Sequence, residues 1–304
     1  MSDFVISPDA RIDLHAHSLR SDGLETPATV MREAAVAGLN YIALTDHDTT
    51  AGWDEARATC QELGLGFIPG IEVTTRVTRK VAKKFGVHML AYLPDPNHLE
   101  LARVLKESVE GRIGRLREIT DRLSKDFDIT WEHVSEVIAD GKVAGRPAIA
   151  DAMVARGIFE DRTPFFDIVH KESQYYVPSR EVPETIDAIA LIRSAGGVPV
   201  IAHPMARGGG PKDGHSWPRA HFLELIEAGL GGFEVNHRDV SGEVRVWLSE
   251  LADEFGLIVT GSSDYHGLDG KPNRLGENTT EPRYLEQILA EARQPSLALL
   301  SNGN

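Results

Sequence analysis

The sequence predicts an α/β fold whose parallel sheet, open or closed into a barrel, is interrupted by an all-helical segment. Two observations predict it. Short apolar segments alternate with helical patterns towards both ends of the chain, as in strand–helix–strand units. The stretch 98–182 carries helical patterns and leads back to a further set of strands. We therefore predict a discontinuous barrel over 11–97 and 183–300, with a helical insertion over 98–182.

The amino-terminal part contains four predicted strands, which are "RIDLH", "NYIAL", "LGFIPGIEV" and "VHMLAYL". Between the first three strands lie helical patterns at 27–37 and 50–63. The first of these helices has Pro27 near its first turn and Gly38 at its end. Proline at the start of a helix and glycine just after it are typical boundary residues, so the limits of this helix are well marked.

The carboxy-terminal part repeats the same alternation. Strands are predicted at "GVPVIAH", "GGFEVNH" and "GLIVTGSSDYH", and helices at 183–195, 218–228 and 241–255. The segment "RGGGPKDG" at 207–214 follows a strand but lacks the lysine–hydroxyl ending of a phosphate-binding P-loop. We therefore expect a flexible surface loop there.

The predicted insertion begins with one long amphipathic pattern, "HLELARVLKESVEGRIGRLREITDRLSKDF", and continues with shorter helices in "WEHVSEVIADG" and "PAIADAMVARG". The arginines of the long helix alternate with acidic residues, which is typical of a solvated face. They are Arg103, Arg112, Arg115, Arg117 and Arg122. Tyr175 and Tyr176 suit either stacking on a nucleobase or packing between insertion and barrel.

Composition restricts the class of protein. The chain of 304 residues can bury a full core, and no apolar run approaches the ~18 residues of a membrane span. The first residues lack the features of a signal peptide, and Cys60 is the only cysteine, which excludes an intrachain disulfide and thiolate zinc sites. We expect a cytoplasmic protein. A net charge of −14 disfavours long nucleic acid but allows a small phosphorylated substrate, because bound cations reverse the local charge.

Potential metal ligands follow nearly every predicted strand. The carboxyl ends of the strands of a parallel barrel meet on one face, so these side chains are expected to converge there. They are His15, His17, Asp22, Asp46, His47, Asp48, Glu72, His88, His203, Glu234, His237, Asp264 and His266. One such histidine is more often structural than ligating, but so many on one face indicate a multinuclear metal site. Imidazole and carboxylate ligands without thiolates favour Zn, Mn or Fe over Ca.

The order of these motifs resembles that of the polymerase and histidinol phosphatase (PHP) family of metal-dependent phosphoesterases. The motifs are His-x-His followed by "SDG", then "TDHD", "GIE", "H-x-L-x-Y", "AHP" and "SDYH", and they cover 11–93 and about 186–270. The resemblance implies a distorted (β/α)7 barrel, similar to a TIM barrel, that holds up to three metals. The helical insertion resembles that of the branch acting on nucleotides and related phosphates, some members of which remove the 3′-phosphate of nucleoside 3′,5′-bisphosphates.

The resemblance also implies a set of metal ligands. One metal would be held by His15, His17, Glu72 and Asp264, a second by Asp22, His47 and His266, and a third by Glu72, His88 and His203. Histidinol-phosphate-type members tend to have a histidine near the position of Asp22, so the aspartate favours the nucleotide branch. Asp13 and Asp46 are expected to orient ligating imidazoles, while Glu234 is either buried and structural, the role expected, or a further carboxylate that supports a ligand.

Substrate contacts are expected from the insertion and from the barrel. Arg146, in "AGRPAIAD", matches an arginine that the branch uses near its site, although Pro147-Ala148 stands where a histidine often follows. Its planar guanidinium suits phosphate oxygens. Further candidates for substrate binding are Arg180, Lys171 and His237, and a catalytic role is expected for Arg146 and His237.

The sequence therefore predicts a phosphoric ester hydrolase with two or three Mn, Zn or Fe ions, in which a metal-bridging hydroxide attacks a small phosphorylated metabolite. A nucleotide is the expected substrate, either a nucleoside 3′,5′-bisphosphate or a monophosphate. Neither long nucleic acid nor a membrane is an expected partner. Three alternatives remain: a small cyclic phosphodiester, 5′→3′ trimming of short oligonucleotides, and a non-catalytic domain accessory to a polymerase. The complete ligand set disfavours the last.

Overall fold

Seven strands form one sheet in which the order of the strands follows the chain. The computed structural model describes residues 5–78, 85–138, 145–178, 181–206 and 219–300. Its strands are β1 (Ile12–Asp13), β2 (Tyr41–Leu44), β3 (Gly66–Val77), β4 (Phe85–Tyr92), β5 (Val198–Ile201), β6 (Gly232–Asn236) and β7 (Ile258–Gly261). Each of them falls within or overlaps one of the predicted strands.

The sheet curves into a nearly closed barrel. An isolated bridge joins Ala16, just after β1, to Tyr265, just after β7, and the N–H of His17 donates to the carbonyl oxygen of Tyr265 at 2.8 Å. The predicted distorted seven-stranded α/β barrel is confirmed. One detail of the expectation is wrong, because β4 runs antiparallel to both β3 and β5. Only residues 78–84 separate β3 from β4, and a parallel crossover needs a dozen or more residues, so the two strands form a hairpin.

Ten α-helices lie within the described residues, which also contain a 3-10 turn at Pro295–Leu297. They are α1 (Pro27–Val36), α2 (Trp53–Leu63), α3 (Leu99–Leu123), α4 (Trp131–Val137), α5 (Arg146–Ala155), α6 (Thr163–Ile168), α7 (Thr185–Ser194), α8 (Arg219–Glu227), α9 (Gly242–Phe255) and α10 (Pro282–Glu291). The helix α1 follows the predicted limits. Pro27 is its first residue, and Gly38, two residues after its end, has a φ of +72°. None of the described helices combines the length and apolar character required to cross a bilayer.

The apolar core has separate parts. Two clusters fill the barrel and the layer of helices around it. A third cluster lies among α3 to α6 and contains Leu116, Ile119, Ile149, Met153 and Phe165. The first turns of α3 belong to the barrel, since Leu101 and Leu105 join the barrel cluster. The long helix α3 therefore runs from the barrel wall into the helical part of the chain. The predicted loop 207–214 lies outside the described residues.

Candidate metal centre

The predicted ligands come together at one edge of the barrel, where loops follow strands. His15, His17 and Asp22 lie in the loop after β1, and His47 lies in the loop after β2. An isolated parallel bridge joins His47 to Glu72, because β3 extends beyond its neighbour. His88 reaches the same edge from the first half of β4, since that strand runs in the opposite direction.

A single carboxylate, that of Glu72, lies between five imidazoles. Its Oε2 is 3.1 Å from Nε2 of His17 and 3.2 Å from Nε2 of His15 and Nδ1 of His47, whereas its Oε1 is 2.8 Å from Nδ1 of His88 and 3.1 Å from Nε2 of His203. Glu72 is almost fully buried. Because its two oxygens face different sets of histidines, the carboxylate could belong to two groups of metal ligands at once.

Two aspartates complete the cluster. Asp264 Oδ1 lies 3.3 Å from Nε2 of His17 and 3.5 Å from Nε2 of His15. Asp22 Oδ1 lies 3.2 Å from Nε2 of His266 and 3.7 Å from Nδ1 of His17, so the two aspartates face different nitrogens of His17. The loop that carries His17 and Asp22 is tightly folded, since a Cβ at Gly23 would lie 2.6 Å from the carbonyl oxygen of His17. Because any side chain at this position would collide with that oxygen, the loop requires the glycine of the "SDG" motif.

In the part of the chain that the structure describes, three groups of donor atoms are compact enough to hold an ion, with all atoms of a group within 4.8 Å of one another. The groups are His15, His17, Glu72 and Asp264; His17, Asp22 and His47; and His47, Glu72 and His88. The first equals one of the sets implied by the family resemblance. Each of the other two groups shares two residues with one of the two remaining sets. The histidines that these groups lack still contact a carboxylate of their set: His266 contacts Asp22, and His203 contacts Glu72.

The unpaired imidazole nitrogens suit divalent cations. Nδ1 of His15 bonds to Glu234 at 2.9 Å and Nδ1 of His266 bonds to the carbonyl oxygen of Asp264 at 2.8 Å, so the proton belongs on Nδ1 and the lone pair on Nε2. Within the described residues, Nε2 of His266 and Nδ1 of His47 are buried without a hydrogen-bond partner. Bare lone pairs beside carboxylates are the donors that Zn, Mn or Fe require, so the residues fit such ions.

The carboxylate that orients an imidazole is Glu234, which was expected to be structural. Besides His15 it accepts from the N–H of His203 at 2.7 Å and from the hydroxyl of Ser262. Asp13 differs from the expectation, because it accepts from backbone N–H groups rather than from a ring. Asp46 accepts from the N–H and hydroxyl groups of Ser18 and from the hydroxyl of Ser21. The Ser21 hydroxyl lies 3.3 Å from Nδ1 of His17, so Asp46 reaches an imidazole through this serine.

Burial and charge act against each other within the cluster. Burial alone would raise the pKa of Glu72, but the neighbouring imidazoles of His47 and His88 outweigh it and hold that pKa well below its usual range. Burial would lower the pKa of His17, yet hydrogen bonds to Asp264 and Glu72 raise it to about 9. The carboxylates therefore stay ionised, as metal ligands must be.

The four predicted substrate residues lie in different surroundings. His237 is buried, and its Nε2 lies 3.7 Å from Oδ2 of Asp264. Arg146 starts α5, donates to the carbonyl oxygen of Val169 at 3.5 Å and stacks over a phenylalanine ring. Lys171 is exposed in a turn after α6, with no described contact to the metal ligands. Arg180 lies outside the described residues.

Two arginines of α3 are not on a solvated face, which corrects the expectation for them. Arg112 is 19% exposed and its Nη2 donates to Asp48 Oδ2 at 2.7 Å. Arg115 donates to a carbonyl oxygen at 2.6 Å, and burial with the positive charges of Arg146 and Arg112 lowers its pKa to about 10. By contrast, Arg103 is exposed and pairs with acids of its own helix, as predicted. Arg112, Arg115 and Arg146 are called the arginine group below.

A lysine missed by sequence reasoning also contacts the cluster. Nζ of Lys271 lies 2.8 Å from Oδ2 of Asp264, the oxygen turned away from His15 and His17. The residue follows the "SDYH" motif by a few positions, in a loop with no regular pattern. Nothing in the local sequence distinguishes it from a surface lysine.

An α/β barrel with imidazole and carboxylate donors gathered at one edge defines a class of metal-dependent hydrolases. The PHP domain model matches residues 13–143 of this chain. A 3′,5′-nucleoside bisphosphate phosphatase of Chromobacterium violaceum is 33% identical over 265 residues, which are 84% of this chain and 87% of that protein. The chain belongs to the PHP domain family and is a metal-dependent phosphoesterase, a phosphoric ester hydrolase, as the motifs predicted.

Further relatives carry different activities. A 5′-3′ exoribonuclease of Haemophilus influenzae is 30% identical over 84% of this chain and 90% of its own. A phosphoribosyl 1,2-cyclic phosphate 1,2-diphosphodiesterase of Eggerthella lenta is 30% identical over 87% of this chain and 97% of its own. A crystal structure from Bifidobacterium adolescentis, described as a metal-dependent phosphoesterase, is 39% identical with a TM-score of 0.84, covering 94% of this chain and 97% of that one. The family is thus clear, while the substrate differs among its members.

Proposed function

We propose that this protein hydrolyses a phosphate monoester of a small nucleotide, with a nucleoside 3′,5′-bisphosphate as its preferred substrate. The observation that carries the proposal is the arginine group, in which Arg112 contacts Asp48, the residue that follows the proposed ligand His47. Arg112 donates to Thr74, and Thr74 pairs across the sheet with His88, one of the proposed ligands. A second phosphate on the substrate would form ion pairs with the guanidinium groups of the arginine group while the first phosphate occupies the metal centre.

The proposed metal ligands are those implied by the family resemblance, together with the groups that the geometry favours. When bound, two or three divalent ions would neutralise phosphate oxygens and lower the pKa of the water that attacks phosphorus. Mn, Zn and Fe remain equally suitable for these donors. Glu234 would keep His15 in the tautomer that leaves Nε2 free for an ion.

Side chains of the protein would stabilise the leaving oxygen and bind the phosphate oxygens. His237 accepts from the N–H of Asp239 through Nδ1 at 3.1 Å, so its proton lies on Nε2, which faces Asp264 and has no closer partner in the described chain. That N–H would donate a hydrogen bond to the leaving oxygen as negative charge develops there when the P–O bond breaks. Arg146 and Arg115 would hold phosphate oxygens, each charge-assisted bond contributing about 1.5–3 kcal/mol.

Within this proposal, the helices from 98 to 182 form an insertion that covers the barrel edge and restricts access to small substrates. The arginine group supports it, since α3 brings Arg112 to the loop after β2 and the charges of Arg112 and Arg146 both act on Arg115. The relative from H. influenzae favours a short 5′-phosphorylated oligonucleotide as the second candidate substrate. The relative from E. lenta keeps a small cyclic phosphodiester as the third.

Purified protein reconstituted with Mn²⁺ would test the proposal on four substrates. These are a nucleoside 3′,5′-bisphosphate, a nucleoside monophosphate, a cyclic phosphodiester and a short 5′-phosphorylated oligoribonucleotide. We expect the highest kcat/KM for the bisphosphate, with release of inorganic phosphate. Preference for the cyclic diester or for the oligonucleotide would replace the proposed substrate, and hydrolysis of none of the four would contradict the proposal.

A further inference from the structure

We propose that Asp48 is a positioning residue that couples the metal centre to the arginine group by holding Arg112 in place. The inference rests on the proposed function, because it takes the arginine group to bind a substrate phosphate. It goes further in assigning a role to a buried carboxylate that is not among the proposed metal ligands.

The backbone of Asp48 is constrained at the metal centre. It follows His47 directly, and its N–H donates to the carbonyl oxygen of Glu72 at 3.2 Å. Its φ of +54° lies in the left-handed region, which aspartate and asparagine enter more readily than other residues with a side chain. Such a conformation beside two proposed ligands is kept only where the surroundings enforce it, and it occurs often at functional sites.

The carboxylate of Asp48 is fully buried and satisfied by three donors. Oδ1 accepts from the N–H of Thr74 at 2.7 Å, and Oδ2 accepts from the Thr74 hydroxyl and from Nη2 of Arg112, both at 2.7 Å. Nη2 of Arg112 also donates to the Thr74 hydroxyl at 2.6 Å. Arg112 is the one cation in this set, so its charge balances that of the carboxylate. A buried carboxylate without this partner would be strongly unfavourable.

These contacts leave most of the Arg112 guanidinium available to a ligand. Both hydrogen atoms of Nη2 are used by Asp48 and Thr74. In the described parts of the chain Arg112 donates through Nη2 alone, so the Nε and Nη1 hydrogens remain for a phosphate. A guanidinium fixed at one nitrogen presents a rigid fork, which costs less ordering when an anion binds. Asp48 would thereby prepare Arg112 for the substrate without touching the substrate itself.

A different role for Asp48 would be to secure α3 against the barrel, independently of substrate. The two roles predict different substrate dependence. A residue that acts through Arg112 affects substrates with a second phosphate most, and its effect disappears when Arg112 is already changed. A residue that only secures α3 against the barrel, and with it the loop of His47, affects metal binding and every substrate equally.

The test compares Asp48→Asn, Arg112→Gln and the double variant, with Arg103→Gln as a control on the same helix. Asparagine keeps the left-handed backbone and the side-chain shape while it removes the charge. The substrates are a nucleoside 3′,5′-bisphosphate and p-nitrophenyl phosphate, assayed with Mn-loaded protein. Metal per chain is measured by elemental analysis for every variant. Asp48→Gly, which also accepts the backbone, serves as a second variant if the asparagine protein does not fold.

We expect Asp48→Asn to lower kcat/KM for the bisphosphate about tenfold more than for p-nitrophenyl phosphate, mainly through KM. Metal content should equal that of the wild type, and the double variant should be no worse than Arg112→Gln alone. Loss of metal, equal losses on both substrates or additive losses would overturn the inference. Wild-type protein that hydrolyses neither substrate would instead contradict the proposed function, so the two failures are distinguishable.

Discussion

The barrel edge and the arginine group carry opposite charges and are assembled in different ways. At the barrel edge, Glu72, Asp264 and Asp22 lie among histidines that immediately follow or end strands. The arginines come from two helices, with Arg112 and Arg115 on α3 and Arg146 at the start of α5. The first set depends on the barrel alone, whereas the second depends on how helices pack against it.

This difference separates metal binding, at the barrel edge, from the selection of the substrate, by the arginine group. Most of the proposed metal ligands lie in loops that directly follow hydrogen-bonded strands of the barrel, so their spacing is rigid. The arginines have long side chains whose position depends on a few contacts, such as that between Arg112 and Asp48. Changes at the barrel edge should therefore affect metal content and all substrates, and changes in the arginine group should affect the choice of substrate.

The largest expected effect comes from Glu72→Gln. The amide removes the charge from the carboxylate that faces five histidines, so the protein should lose at least one bound ion per chain. Because a catalytic metal contributes several kcal/mol, kcat/KM should fall by about 10³-fold or more on every substrate. Elemental analysis and steady-state kinetics measure the two effects. A variant with full metal content and near-normal activity would break the assignment of Glu72 as a bridging ligand.

The next largest expected effect is a fall in the free energy of unfolding of the metal-free protein as the pH rises. The pKa of His17 is about 9 in the folded protein, above its ordinary value of 6.5. The protonated ring therefore stabilises the metal-free fold. This contribution is fully present below pH 6.5 and is lost as the pH rises through 9. A pKa change of one corresponds to about 1.4 kcal/mol, which gives a loss of about 3 kcal/mol in the free energy of unfolding. Urea titrations of chelator-treated protein measure it. The metal-loaded protein should lose less, because ions require neutral imidazoles. Constant or rising stability of the metal-free protein over this range would contradict the charge balance.

A smaller, selective effect is expected for Arg146→Ala. Loss of one or two charge-assisted bonds to phosphate corresponds to a fall in kcat/KM of roughly ten- to a few-hundredfold on the bisphosphate. Metal content should not change, since arginine is not a ligand. Steady-state kinetics and elemental analysis of the same preparation would check both statements. Near-normal kcat/KM would remove Arg146 from the arginine group and leave phosphate binding to Arg112 and Arg115.

The smallest effect is expected for Arg103→Gln, which lies on α3 but is exposed and paired with Glu100 and Glu107. Exposed pairs of this kind contribute about 0–1 kcal/mol. Thermal unfolding should therefore shift by at most a few degrees, with activity unchanged on either substrate. A substrate-dependent loss comparable to that of Arg146→Ala would show that the whole helix, rather than the arginine group, attracts the substrate.

Much of the barrel and its ligands was predictable, because the relevant signals are local. Alternating apolar and helical segments marked the seven strands of the described residues, and polar residues at the strand ends marked the histidines and carboxylates that come together there. The reversal of β4 was missed, although the short connection 78–84 was a usable signal. Helices α6 and α10 were also missed; α6 is only six residues long.

Other parts were not predictable from local pattern. Arg112 and Arg103 belong to the same amphipathic helix and have similar neighbours in sequence, yet one is fixed on Asp48 and the other is exposed. Glu234 and Asp13 are both carboxylates in strands, and only packing decides that Glu234 meets the ring of His15. Lys271 stands in a loop whose course depends on the closure of the barrel.

The sequence by itself determined the order of strands and helices, the family and the types of metal ligand. Backbone periodicity and the residues at strand ends decide these properties within a few positions of the chain. The tertiary structure alone decided which oxygen of Glu72 faces which histidine, which arginines of α3 turn towards the barrel, and that Asp48 holds one of them. These contacts join residues distant along the chain, so they depend on the burial and hydrogen bonding of side chains once the helices have packed against the barrel.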